Sequence, residues 1–190
     1  MRRGTPAARD RFVRAMLALC EKKDINKISV RDVLEESGAA RQTFYNCYRD
    51  INDLILDVPF ALAETCDEGL YTQDACTALF RMARQERGYF AQLPRHTGQN
   101  CFRDSYLKKL KEIYYHSVLH GSPCEIAAQK AQIDAYIYGV VDLFMEWCAT
   151  GMQDDPQWIA AVIFSMKPPF MTEDPLPDYC AHQGAFSLEA

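Results

Sequence analysis

Residues 29–50 read SVRDVLEESGAARQTFYNCYRD, and this stretch decides the fold. The Ser29 hydroxyl can cap the amide of Asp32, and Asp32 sets a negative charge in the first turn, so a helix starts here. Val30, Val33 and Leu34 give that helix one apolar face. Gly38 ends it, at the position where left-handed backbone is least costly. A second short helix is expected over 40–47 and a longer one from about Asp50. Helix, glycine turn, short helix and longer helix form a helix-turn-helix arrangement.

Outward from this unit the pattern stays helical. Phe12, Val13, Met16, Leu17 and Cys20 recur at three- and four-residue spacing and predict a helix over 6–23. Pro59 falls inside the helix that begins near Asp50 and cannot donate to the carbonyl four residues back, which predicts a bend. Two or three further helices are expected between 72 and 119, broken near Leu93-Pro94 and Thr97-Gly98. Ser122-Pro123-Cys124-Glu125 offers a capping serine, a proline at the first helical position and a glutamate at the third. The helix behind it should run to about Thr150, and Asp155-Pro156 should start a last one, stopped by Pro168-Pro169. The chain is thus all-α: a helix-turn-helix unit over 1–50, a helical part over 51–167, and a proline-rich tail over 168–190.

Composition sets limits on function. The 190 residues are 48% apolar, enough for a sizeable core, and no stretch approaches a membrane span. The basic N-terminus is followed by no apolar signal segment, which predicts a cytoplasmic protein. The eight cysteines are nowhere closer than ten residues, so no C-x-x-C pair exists and reduced, core-filling thiols are expected. Net charge is −5, yet residues 1–57 hold 11 basic and 9 acidic side chains, so the acidic excess lies in the rest.

The second helix of a helix-turn-helix enters the DNA major groove with its first residues facing base edges. Here those residues are Arg41, Gln42 and Thr43. Arginine pairs bidentately with guanine, glutamine with adenine, and threonine meets a thymine methyl or a phosphate. Tyr45 is placed to offer its hydroxyl to a phosphate while Phe44 packs inward. The plainer alternative is a structural corner, with Tyr45 and Tyr48 in a core and Arg41 and Gln42 on a solvated face.

The same residues strongly resemble the DNA-binding signature of the TetR family of bacterial transcription regulators: a capping serine, an apolar helix ending in Ser37-Gly38, a recognition helix ending in Phe44-Tyr45, then Tyr48, and Asp53-Leu54-Ile55 in the next helix. The similarity covers 8–58. Residues 139–163, with Trp147, Gly151 and Pro156-Gln157-Trp158, are similar to the effector domain of the branch that includes dihydroxyacetone kinase regulators. The resemblance implies phosphate contacts from Ser29 and Tyr45, groove contacts from Arg41, Gln42 and Thr43, and support of the recognition helix or backbone contact from Tyr48. It also implies double-stranded operator DNA as partner and, in the second part, a pocket for a small-molecule effector, for which Phe102, Tyr106, Tyr114 and Tyr136 are the candidate walls. The implied function is a repressor released by its ligand. Two positions depart from the family: Ala40 replaces a capping serine, and Ile51 stands where a lysine usually meets phosphate, which lowers charge neutralisation. Arg2, Arg3, Arg41 and Arg49 are the candidates to offset this.

Ile133, Ile137, Val140, Phe144 and Trp147 step by four, three, four and three, and Ile159, Val162, Ile163 and Met166 form a second apolar face. Two copies of this surface would build a four-helix interface, which predicts a homodimer. His116, His120 and Cys124 have ligand-like spacing, but 121–123 break the helix between them, so no metal is expected. No catalytic or cofactor motif occurs, so neither an enzyme nor a cofactor is expected. The competing function is a helical protein-interaction co-regulator that has lost autonomous operator binding, motivated by Ala40, Ile51 and the acidic balance.

Overall fold

The computed structural model describes residues 5–64, 72–98 and 101–171. Arg2, Arg3, Cys66, Cys180 and the tail beyond 171, on which expectations were placed, lie outside the described residues. Among the described residues the regular structure is helical: α1 (Pro6–Cys20), α2 (Val30–Ser37), α3 (Arg41–Cys47), α4 (Ile51–Ala63), α5 (Gln73–Gln85), α6 (Arg87–Phe90), α7 (Phe102–Val118), α8 (Pro123–Ala149) and α9 (Pro156–Ser165). The fold is all-α.

Local chemistry explains most of the boundaries. Thr5 caps α1 and Pro6 is its first residue. Ser29 and Asp32 close a reciprocal capping box on α2, and Gly38 takes φ +62° after it. Ser122 and Glu125 do the same for α8, and Asp155 caps α9 by accepting from the Gln157 and Trp158 amides. α1 stops at Cys20, three residues before the expected end, because Asp24 caps a separate 3-10 turn over Ile25–Lys27. Gln92 then fixes that end from a distance. Its Nε2 donates to the Cys20 carbonyl at 2.7 Å, and its Oε1 accepts from the Ile25 amide at 2.7 Å.

α1 packs on α2, α3 and α4, with Phe12, Met16, Val33, Phe44 and Leu54 fully buried between them. In the larger part α5 packs on α9 and α7 on α8, and α4 touches both α1 and α7. One apolar cluster runs from Phe12 through Tyr89 and Phe90 to Ile163, so α4 and α6 join the two parts through a shared core. No helix among the described residues is long and apolar enough to cross a membrane.

Candidate nucleic-acid interface and ligand cavity

α3 is seven residues long and has one inner and one outer side. Phe44 is its fully buried anchor, edge-on to Phe12 of α1 at 5.3 Å between ring centroids. Arg41, Gln42, Tyr45 and Asn46 are exposed and Thr43 is half-buried. Neighbours four apart pair along this outer side: the Arg41 guanidinium lies 5.5 Å from the Tyr45 ring centre, and Gln42 Nε2 donates to Asn46 Oδ1 at 3.1 Å. Asn46 is a surface candidate that the sequence reading missed; its place four residues after Gln42 was the available signal. Ala40 makes no side-chain cap, so the first amides of α3 are left without a side-chain acceptor from that position.

Several expected contacts have internal partners. The Ser29 hydroxyl is exposed but donates to Asp32 Oδ2 at 2.6 Å, and Lys23 reaches the same carboxylate at 2.8 Å. Lys23, then Ser29, holds the Asp32 carboxyl well below the usual carboxylate range. Arg49 forms a fork on Asp53, with both contacts at 2.7 Å. Tyr48 is only 5% exposed and its hydroxyl donates to Asp57 Oδ2 at 2.8 Å. Burial and the Asp57 charge push the Tyr48 hydroxyl far above the usual tyrosine range. Of its two expected roles, the geometry supports bracing the helix and leaves little surface for phosphate.

Asp57 is the centre of that brace. Arg9 of α1 grips it through Nε and Nη2, both at 2.7 Å, and also reaches Glu64. α1, the end of α3 and α4 therefore meet at one carboxylate. Such a fork is partly buried and geometrically specific, the arrangement in which an ion pair carries weight.

The larger part contains a cavity of about 140 Å³, well beyond the room one water needs. α4, α5, α7, α8 and α9 all contribute walls: Pro59, Phe60, Cys76, Phe80, Tyr106, Tyr114, Tyr136, Val140, Phe144, Ile163 and Lys167 among others, with Phe90 from α6. Tyr106, Tyr114 and Tyr136 are thus brought together, as expected. Phe102 is not a wall. It is buried behind the cavity, stacked on Tyr106 at 5.1 Å and 19°. Burial pushes the Cys76 thiol up to about 11, which keeps it protonated and unreactive.

Pro59 has a structural partner that sequence reading could not name. Its missing amide would leave the Ile55 carbonyl without a helical donor. The buried Tyr89 hydroxyl of α6 donates to that carbonyl instead. α4 is therefore held, at its proline, by a side chain from another helix.

The expected dimer seam needs correction. Ile133, Ile137, Trp147, Ile159 and Ile163 are buried inside the chain itself, while Val140 and Phe144 face the cavity. The four-three spacing marks an intramolecular core stripe, and spacing alone does not tell which partner covers it. Val162 is half-buried and Met166 exposed. The large apolar residues left outside on these helices are Trp158, at 59%, with Tyr138, Phe164 and Met166. His120 Nδ1 pairs with the Val118 carbonyl and Cys124 belongs to the next helix, so the His116, His120, Cys124 spacing does not converge.

Residues 71–167 match the family model described as a transcriptional regulator C-terminal region, of TetR type. Among solved structures, the protein titled dihydroxyacetone kinase operon activator DhaS is similar in fold, with a TM-score of 0.56 and 16% identity. That similarity covers 85% of this chain and 94% of the other. No curated protein matches.

Proposed function

Because the chain belongs to the TetR family of transcription regulators, we propose that it binds double-stranded operator DNA through α3 as a homodimer and that a small molecule in the cavity alters this binding. The observation that carries the reading is the division of α3. Phe44 and Tyr48 lock its inner side to α1 and α4, which leaves Arg41, Gln42, Tyr45 and Asn46 as a rigid outward row. A rigid helix presenting bidentate donors is what base-edge readout requires. Thr43 and Ser29 flank the row, Thr43 at the groove and Ser29 near phosphate.

α4 carries the signal. It receives the brace from α1 and α3 at Asp57, and two residues later Pro59 lines the cavity. Phe60 touches Tyr106 at 5.4 Å, so a ligand that displaces Tyr106 pushes on α4 next to its weakest point. A ligand acts only through its different affinity for the two arrangements of α4. Filling the cavity releases the operator, so the protein acts as a repressor in the cytoplasm.

The dimer forms through the outer faces of α8 and α9. Trp158, Ala161, Val162 and Ser165 follow one another on the outer side of α9 at helical spacing, with Trp158 as the anchor.

Selection from a random duplex library tests the reading. Under it, the full-length protein enriches a pseudo-palindrome with half-sites about one helical turn apart. The uncapped Ala40 and the internally paired Arg49 favour a second reading, a co-regulator without autonomous DNA binding. An unenriched pool at low salt would establish that one instead.

A further inference from the structure

The cavity also restricts the chemistry of what fills it, and the argument rests on its being the effector site. Its described walls are mainly aromatic and aliphatic, and Lys167 is the sole charged residue among those described. Lys167 follows the cap of α9 and holds its ammonium 4.7 Å from the Phe164 ring centre. A buried carboxylate or phosphate needs paired charge and several donors, and a buried cation needs a carboxylate. Among the described walls no carboxylate is present for a cation, and the one charge an anion would find is a single ammonium drawn to the Phe164 ring.

The polar groups that remain are hydroxyls. Thr72 already accepts from the Ala75 amide at 3.0 Å. Cys76 is a weak donor. Tyr106 and Tyr136 differ from Tyr48 and Tyr89: those two donate to protein oxygens, whereas the Tyr106 and Tyr136 hydroxyls make no hydrogen bond among the described residues. Burial pushes the Tyr106 hydroxyl up to about 12 and raises Tyr136 as well, so both keep their protons and remain donors. Both rings, with Cys76, line the same cavity.

We propose that the cavity binds an uncharged, mainly apolar molecule carrying an accepting oxygen of the ketone, ester or ether kind, held by the Tyr106 and Tyr136 hydroxyls. The apolar body fills the space between Phe80, Phe144 and Phe60, and the oxygen replaces the water that those hydroxyls otherwise require.

Three probes of similar size separate the possibilities: acetophenone, ethylbenzene and benzoate, titrated calorimetrically into the full-length protein near neutral pH. Acetophenone should bind more tightly than ethylbenzene by about 2- to 12-fold for each hydroxyl engaged. Benzoate should bind weakest. In the Tyr106→Phe/Tyr136→Phe double variant, ethylbenzene affinity should persist while the ketone loses its advantage. Equal binding of ketone and hydrocarbon to the wild type, tightest binding of benzoate, or a ketone advantage that survives in the double variant would overturn the proposal and leave the cavity as a ligand site. Binding of none of the three would overturn both the proposal and the effector-site reading.

Discussion

Tyr45 and Tyr48 lie three residues apart and act differently. Tyr45 is 38% exposed beside Arg41, whereas Tyr48 is inside with its hydroxyl on Asp57. Tyr45→Phe should weaken all duplexes alike, by about 1 kcal/mol, with stability unchanged. Tyr48→Phe should lower unfolding free energy by about 1–3 kcal/mol, since it deprives a partly buried carboxylate of one donor, and should leave base preference intact. Urea titrations and gel shifts on both variants check this contrast. The sequence identified Tyr48 as a support but did not reveal its partner, because Asp57 and Arg9 meet it only through tertiary packing. His96 yields a prediction about pH. Its Nδ1 accepts from the first amide of α7 at 2.9 Å, and burial lowers its pKa below the usual 6.5. The unfolded chain therefore binds a proton at higher pH than the folded one. The stabilisation from neutral His96 is complete above about pH 6.5, declines as pH falls below it, and stops declining once the folded pKa is passed. Unfolding midpoints measured across that window should fall less in His96→Asn than in the wild type; an equal fall would remove His96 as the cause.

At the scale of elements, the proposed regulation depends on α4. Tyr89→Phe should leave the Ile55 carbonyl without a donor and cost about 1–3 kcal/mol. Pro59→Ala restores an amide that can take that carbonyl, but it then competes with the Tyr89 hydroxyl. In the double variant the amide serves Ile55 and no hydroxyl is stranded, so the two costs should not add: a coupling above about 0.5 kcal/mol is expected from a double-mutant cycle in urea. Additive costs would mean that Tyr89 and Pro59 do not share the carbonyl. Pro59→Ala should also change the ratio of operator affinities with and without effector, within the about 5–150-fold span that allosteric coupling usually covers. Helix starts and stops were the most legible part of the sequence. The capping boxes at Ser29 and Ser122, Gly38, and Pro59 as a lost hydrogen bond all follow from local chemistry. The end of α1 did not, because Asp24 and the distant Gln92 determine it.

For the whole molecule, the lesson concerns which surface a stripe serves. The stripe from Ile133 to Trp147 carried the right period but faces the chain's own core, since periodicity reports burial and not the identity of the covering partner. Of the four candidate walls Tyr106, Tyr114 and Tyr136 line the cavity and Phe102 does not, while Phe60, Phe80 and Phe90 line it without having been candidates, because nothing local separates a wall aromatic from a core one. The corrected surface gives a testable dimer: Trp158→Glu should shift sedimentation from a dimer to a monomer at micromolar concentration while keeping helix content, and an unchanged dimer would place the interface elsewhere. A stable interface there should bury at least about 1,000 Å². The proposed dimer also bears on DNA, because a single α3, with Arg41 as its one basic residue, would contact little phosphate, and two heads would double the contacts. The central claim is that α3 reads duplex DNA, and the most direct measurement is the salt dependence of binding to the selected duplex for the wild type and Arg41→Ala. The wild type should lose affinity linearly in log salt with a slope reporting several neutralised phosphates, and Arg41→Ala should lose about 1–3 kcal/mol of discrimination at one base pair in each half-site. No binding near ~50 mM salt, or an Arg41→Ala protein with wild-type affinity and base preference, would contradict the claim.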